Sequence, residues 1–391
     1  MKIKDFLRKY AFRIIVFLIM VGFLIYFFYG LDFHGSYEVL KKSSILYLLI
    51  ALLFMLVSAA VKAYRFYMLL KPNHPDLKFK KFLLPYLVGY GFSVLGPFKT
   101  GEVASVEINK RNLDIPRSSS FAALAFFRVV DVLVVLVFFI IALGVTVPKI
   151  INNTVDPVLA SKIQIGTNIV FYLAIAGTIV LIAILFIPQI GRIFLKIATK
   201  VIGKFSSRVG NWLDRVIKPA LNEYYKSLRF LYSKIFIASI VIITTVLRWI
   251  LEFYSLKFTV DAFYIKTIFP HCLPISIPEF YLNKLALIGF NYGISLIDAA
   301  SVISIALLIG LLTFVPAGVG TGTITTQILL VGLLIQKNIT DASILYQALI
   351  GIILTLLLAA IASPFLKEKK ENDTNQDNDN TKTNDKVEPT S

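Results

Sequence analysis

Arg128 and Asp131 stand three residues apart in "FFRVVDVL", and Arg248 and Glu252 stand four apart in "LRWILEF", each pair inside an apolar stretch. Either spacing puts both side chains on one helical face, where opposite charges pair. Charges set in apolar sequence are costly and turn toward a bundle interior or a wet cavity, so each pair is a candidate site for a charged ligand. The alternative is a structural ion pair that fixes helix register. Arg128 lies ten residues past Ser118, about 15 Å along a helix rising ~1.5 Å per residue. At that depth its planar, two-pronged donor set suits an anion. Arg65, near the end of its own apolar stretch, reads instead as a cation reaching toward lipid headgroups.

A second group of residues shapes backbone. "LGPFKTGEV" carries Pro97, Lys99, Gly101 and Glu102, and "LLTFVPAGVGTGT" carries Pro316, Gly318, Gly320, Thr321 and Thr323. Both contain Pro-x-x-x-Gly. The correspondence continues downstream: Arg128 follows Pro97 by 31 residues, and Gln347 follows Pro316 by 31. A shared motif with a shared spacing points to an internal repeat. The glycines permit a tight turn and close approach to a ligand. Thr321 or Thr323 can cap the half-helix that follows, whose N–H groups would favour an anion. Small residues also simply allow helices to pack closely, and that reading stays open. Glu102 is either a site carboxylate or an exposed loop residue; its place in the repeated motif favours the former.

Other chemistry lacks its residues. His34, His74 and His271 are scattered, Cys272 is the single cysteine, and no D-x-D pair occurs before the polar C-terminal segment, where Asp377 and Asp379 stand. General acid–base and metal chemistry have no visible players, so neither an enzyme nor a metal or other cofactor is expected.

The elements that must position these groups are membrane helices. Hydrophobic residues form 57% of the 391-residue chain and mean hydropathy is +0.77, above the roughly 45–50% apolar content of soluble domains. Stretches 14–30, 45–61, 132–148, 163–191, 299–336 and 342–366 carry no charge, and about 20 apolar residues cross a bilayer. The basic N-terminus and the segment 189–234, with ten Lys or Arg, belong inside by the positive-inside rule. The poorly charged loops 146–162, with its Asn152 sequon, and 261–284 belong outside. The apolar piece 82–97 has basic flanks on both sides, and the charge-free run 299–336 is broken at Pro316. Each reads as a re-entrant hairpin, tolerated where irregular backbone is buried in protein. The expectation is an all-α polytopic membrane protein: about six full spans, both termini cytoplasmic, and two oppositely oriented re-entrant hairpins at about 82–115 and 299–336. Such an inverted repeat is an architecture of secondary transporters. Arg192, Lys196, Lys200, Lys204 and Arg208 recur every four residues among apolar ones, as in a helix lying on an anionic leaflet. Residues 1–366 form the membrane domain, and the polar segment 367–391 reads as a disordered tail. The net charge of +17 is distributed as the inside rule requires, so nucleic acid is not an expected partner.

"AYRFYMLL", "LGPFKTGEV", "FFRVVDVL" and "LLTFVPAGVGTGT", in this order, resemble the lysylphosphatidylglycerol synthase transmembrane-domain family, also called flippase-like. The resemblance covers roughly residues 10–366 and implies a domain associated with moving lipids between leaflets. It also implies that Pro97, Gly101, Glu102, Arg128, Asp131, Pro316, Gly318 and Gly320 hold family positions. A soluble aminoacyl-transferase domain is fused to some members, and with 25 residues after Leu366 a stand-alone form is expected. The chain departs from the family pattern at Phe127 and Thr323, where Glu is usual or frequent. It departs again at Ala317, where a second Gly is usual, and at Gln347, where Arg is frequent. The function expected is a cell-membrane translocator of an anionic phospholipid or polyprenyl-phosphate lipid, with Arg128 balancing the phosphate and Glu102 tuning the charge. A membrane enzyme acting on a lipid headgroup and a non-transporting scaffold are the alternatives. Membrane lipids are the expected partners, with homo-oligomerisation left open.

Overall fold

The computed structural model describes residues 33–95, 100–154, 156–205, 221–222, 224–226, 235–272, 293–312 and 321–365. All regular structure among them is helical. In chain order the elements are α1 (Phe33–Lys41), α2 (Ile45–Leu70), α3 (Phe79–Leu95), α4 (Thr100–Leu113), α5 (Arg117–Asn153), α6 (Pro157–Phe186), α7 (Pro188–Phe205), α8 (Ile235–Cys272), α9 (Leu296–Leu312), α10 (Thr321–Gly332) and α11 (Lys337–Ala362). Within α2, α5, α6, α8 and α11 lie five stretches long and apolar enough to cross a membrane, and α9 and α10 are shorter apolar helices. The protein is an all-α polytopic membrane protein. Its first expected span, 14–30, falls outside the described residues.

Local chemistry sets the helix boundaries. Asp156 accepts a hydrogen bond from the Val158 N–H at 2.9 Å, and Pro157 takes the first turn of α6, where its missing N–H is harmless. Ile187, forced extended by the following proline, divides α6 from α7. The two short helix pairs, α3 with α4 and α9 with α10, pack side by side. They fall within or near the hairpin ranges read from sequence, and the breaks at 96–99 and 313–320 lie outside the described residues.

Close helix crossings rest on two glycines of α3. A methyl group on Gly89 would come within 2.6 Å of the Ser105 Cβ in α4, and one on Gly91 would collide with the Ala359 Cβ in α11. Backbones can approach this closely only where no side chain intervenes.

Apolar packing forms two main cores that share α5. One gathers Phe66, Phe82, Tyr86, Phe126 and Phe127 from α2, α3 and α5. The other gathers Phe139, Trp249, Phe253, Phe263 and Leu330 from α5, α8 and α10. Many apolar side chains point outward, among them Leu49, Leu53, Ile353 and Leu357. Such a surface suits hydrocarbon and not water. On α7, Ile193, Phe194 and Ile197 are exposed together with Arg192 and Lys196.

Candidate functional site

Along α5 the two cores meet at Asp131, which sits between Phe127 of one and Val135 of the other. The opposite wall is α8, where Thr245 and Arg248 lie between Val241 and Trp249. The third wall is α2. Ser58, Lys62 and Arg65 are spaced four and three apart, and Thr245, Arg248 and Glu252 three and four apart. Each set forms one polar stripe along an apolar helix. The stripes converge on Asp131.

Arg65, with no exposed surface, donates to the Asp131 carboxylate at 2.8 Å through Nη1 and 3.1 Å through Nη2. This is a two-pronged clasp that also includes a bond to Thr245 Oγ1. Arg248 donates to Asp131 Oδ1 at 3.2 Å and to Glu252 Oε1 at 3.0 Å. Lys62 Nζ lies 2.7 Å from Glu252 Oε1, and the Ser58 hydroxyl donates to the same oxygen at 3.2 Å. Aromatic faces complete the shell. The Arg65 guanidinium is 3.5 Å from the centroid of the Phe127 ring and the Arg248 guanidinium 3.7 Å from that of Trp249. Cation–π contacts of this kind are strongest where water is excluded.

Two sequence readings change here. Arg65 does not reach for headgroups: it is fully buried and is the closest partner of Asp131. Arg128 is not the main partner of Asp131, because its Nη1 stands 4.0 Å from Oδ2 while the other two arginines hold both oxygens. The Arg128 side chain keeps 31% of its surface exposed, against 0% for Arg65 and 9% for Arg248. Arg248 and Glu252 do pair, as their spacing suggests. Of the backbone-shaping residues, Pro97, Lys99, Pro316, Gly318 and Gly320 lie outside the described residues. Gly101 and Glu102 fall on the first turn of α4, and Thr321 and Thr323 on the first turn of α10. Lys62 and Thr245 escaped the sequence reading, although the paired stripes on α2 and α8 were a visible signal for them.

The described side chains of this cluster carry four cations, Lys62, Arg65, Arg128 and Arg248, against two carboxylates, Asp131 and Glu252. Beside it opens a cavity of ≈ 200 Å³ between α2, α3, α8, α9 and α11, lined in part by Lys62, Tyr90, Glu252, Ser255, Gln347 and Thr355. Among the described residues no three His, Cys, Asp or Glu side chains are grouped so as to hold a metal.

A comparison with curated proteins finds no match. The family model described as "Lysylphosphatidylglycerol synthase TM region" matches residues 12–277. That range includes α2, α5 and α8, the three helices that build the charge cluster. An apolar multi-span bundle with buried, linked charges and a match over more than half its length is thus a multi-pass membrane protein of the lysylphosphatidylglycerol synthase TM region family, whose membrane domain is flippase-like.

Proposed function

We propose that this protein moves an anionic lipid, either a phospholipid or a polyprenyl-phosphate-linked lipid, between the leaflets of the cell membrane. Both termini face the cytoplasm, and the α3–α4 and α9–α10 hairpins enter from opposite sides as an inverted repeat. The observation that carries the reading is the cluster itself: arginines from three spans gathered around buried Asp131, with Arg128 the most exposed of them. Arg65 and Arg248 hold the Asp131 carboxylate, and the partly exposed guanidinium of Arg128 beside them suits the phosphate of a lipid. In a low-dielectric bundle such charge-assisted bonds are stronger than in water. Arg128 takes the phosphate, and Arg65 with Asp131 fixes the helices around it. Family membership supports a lipid as the cargo, and the basic α7 suits an anionic inner leaflet.

The test is Arg128→Met in the full chain, reconstituted in vesicles and scored for anionic-lipid retention and scrambling beside thermal stability. Asp131 must stay, because its removal would strand two buried arginines. Stability should remain close to wild type, while retention falls by about ten- to a hundred-fold, as for loss of a hydrogen bond to a charged group. Arg128→Lys should recover only part, since the ammonium lacks the planar fork. Wild-type retention and scrambling in folded Arg128→Met would overturn the assignment.

A further inference from the structure

The cavity beside the cluster carries its own hydrogen-bond code, which follows from where each proton goes. Ser255 Oγ donates to the Ala51 carbonyl at 3.1 Å, and Thr259 Oγ1 donates to the Ser255 carbonyl at 2.8 Å. Each hydroxyl has one proton, so both oxygens can only accept from a further neighbour. Gln347 contacts both, at 3.1 and 2.6 Å. Its NH₂ group must therefore face them, which assigns the amide orientation by the network. The Gln347 carbonyl oxygen is left for the cavity.

Glu252 shows the same polarity. Arg248, Lys62 and Ser58 all converge on Oε1, and Oε2 has no protein donor among the described residues. Thr355 gives its proton to the Gly351 carbonyl at 2.6 Å, so its oxygen too can only accept. Three acceptors thus line one cavity, and Lys62 is the charged donor among them. A ligand fitting this wall must bring protons. An ammonium would bring them with a positive charge, beside the Lys62 ammonium and the Arg248 guanidinium that Glu252 already pairs. Neutral donors are favoured, and in a lipid headgroup those are hydroxyls.

Size narrows the ligand further. A volume of ≈ 200 Å³ corresponds to about six or seven waters at ~30 Å³ each, less than the ~300–1,000 Å³ of sites that enclose a drug-sized molecule. It holds the end of a headgroup and not an acyl chain. The Tyr90 ring, with the Lys62 ammonium 5.6 Å from its centroid, supplies a flat face for the carbon side of a polyol.

We infer that this cavity selects a lipid whose phosphate carries a neutral polyol, a glycerol, cyclitol or hexose unit. Gln347, Glu252 and Thr355 accept its hydroxyl protons while the arginine cluster holds the phosphate. The inference rests on the anionic-lipid reading above and adds the class of headgroup to it.

Retention by the purified full chain is compared for phosphatidylglycerol, phosphatidylinositol and phosphatidylmethanol, which share one phosphodiester charge and differ in hydroxyls. Phosphatidylcholine is the background. A second series compares bare polyprenyl phosphate with its hexose phosphodiester. A hydroxylated lipid should be retained roughly three- to ten-fold over its hydroxyl-free counterpart, in keeping with one or two neutral hydrogen bonds. The series in which this preference appears identifies the source. Gln347→Leu and Thr355→Val should each bring the ratio toward one. A ratio of one in both series for wild type, or a full preference surviving in both variants, overturns the polyol assignment while leaving the phosphate site standing. Retention of every anionic lipid no better than phosphatidylcholine overturns the phosphate site, and the polyol assignment falls with it.

Discussion

Replacing Asp131 by Leu distinguishes a three-helix charge cluster from an isolated Arg128–Asp131 pair. Asp131 is 4% exposed and accepts three hydrogen bonds of 2.8–3.2 Å from two guanidinium groups on different helices. Its loss leaves Arg65 buried beside two other arginines without its carboxylate. Removing one partner of a buried ion pair costs about 3–5 kcal/mol. At ~1.2 °C per kcal/mol for a chain of this size, the apparent melting temperature in detergent should fall by roughly 4–6 °C. Second-site changes then identify the partner. Arg65→Leu added to Asp131→Leu should recover more of the loss than Arg128→Met added to it, because Arg65 is the buried group left stranded. Coupling of this kind is what a double-mutant cycle measures. The assay is thermal unfolding of Asp131→Leu, Arg65→Leu, Arg128→Met, the two double variants and wild type under one detergent condition. If the Arg128→Met double variant recovers more than the Arg65→Leu one, the partner assignment is refuted.

Outside the spans, Glu107 accepts from Arg117 at 2.7 and 3.1 Å and from Arg111 at 2.9 Å. Those hydrogen bonds, Arg117's foremost, hold its carboxyl at about 2 against an ordinary 4.5. Its contribution is therefore fully present above about pH 4.5 and fades as the pH falls toward 2. With 37% of the side chain exposed it amounts to at most about 1 kcal/mol, so Glu107→Gln should flatten that limb of a stability-versus-pH curve only slightly. The opposed hairpins are tested by cysteine labelling in a Cys272→Ser background. Asn109 is buried and unsuited to a label, whereas Arg111 is 65% exposed and Lys337 is exposed. Arg111→Cys and Lys337→Cys should label from opposite faces of the membrane, and labelling from the same face would remove the inverted arrangement.

Hydropathy and the distribution of Lys and Arg made the long helices legible, because crossing a bilayer demands length and apolar character that few other structures need. The paired short helices were legible for the converse reason: Pro97 and Pro316 stand where an uninterrupted span should be. The charge cluster was legible only in part. Spacing along one helix identifies neighbours on its own face, and so it matched Arg128 with Asp131 and found the Arg248–Glu252 pair. Arg65 is 66 positions from Asp131, and no local period reveals which helices touch. Phe127 read as the loss of a family carboxylate, yet its ring lies against Arg65 and provides a face for the guanidinium. Lys62 escaped notice because its partner Glu252 lies on a helix 190 residues away in sequence.

The two glycine crossings of α3 have a mechanical consequence. Residues 89 and 91 are two positions apart, roughly 200° around a helix of 3.6 residues per turn, so α3 is gripped on opposite sides by α4 and α11. Backbones in direct contact have no rotamers with which to absorb a sliding motion. Against α2, by contrast, α3 leans through the rings of Phe66, Phe82 and Tyr86. Rings can tilt and reseat where apposed backbones cannot. The contacts of α3 with α4 and α11 are therefore its stiff ones, and the compliant joint runs along α2. The cavity straddles that joint, with Lys62 on α2 and Glu252 on α8 facing Thr355 and Gln347 on α11. A rocking motion there would widen or pinch the polar chamber without breaking either glycine crossing.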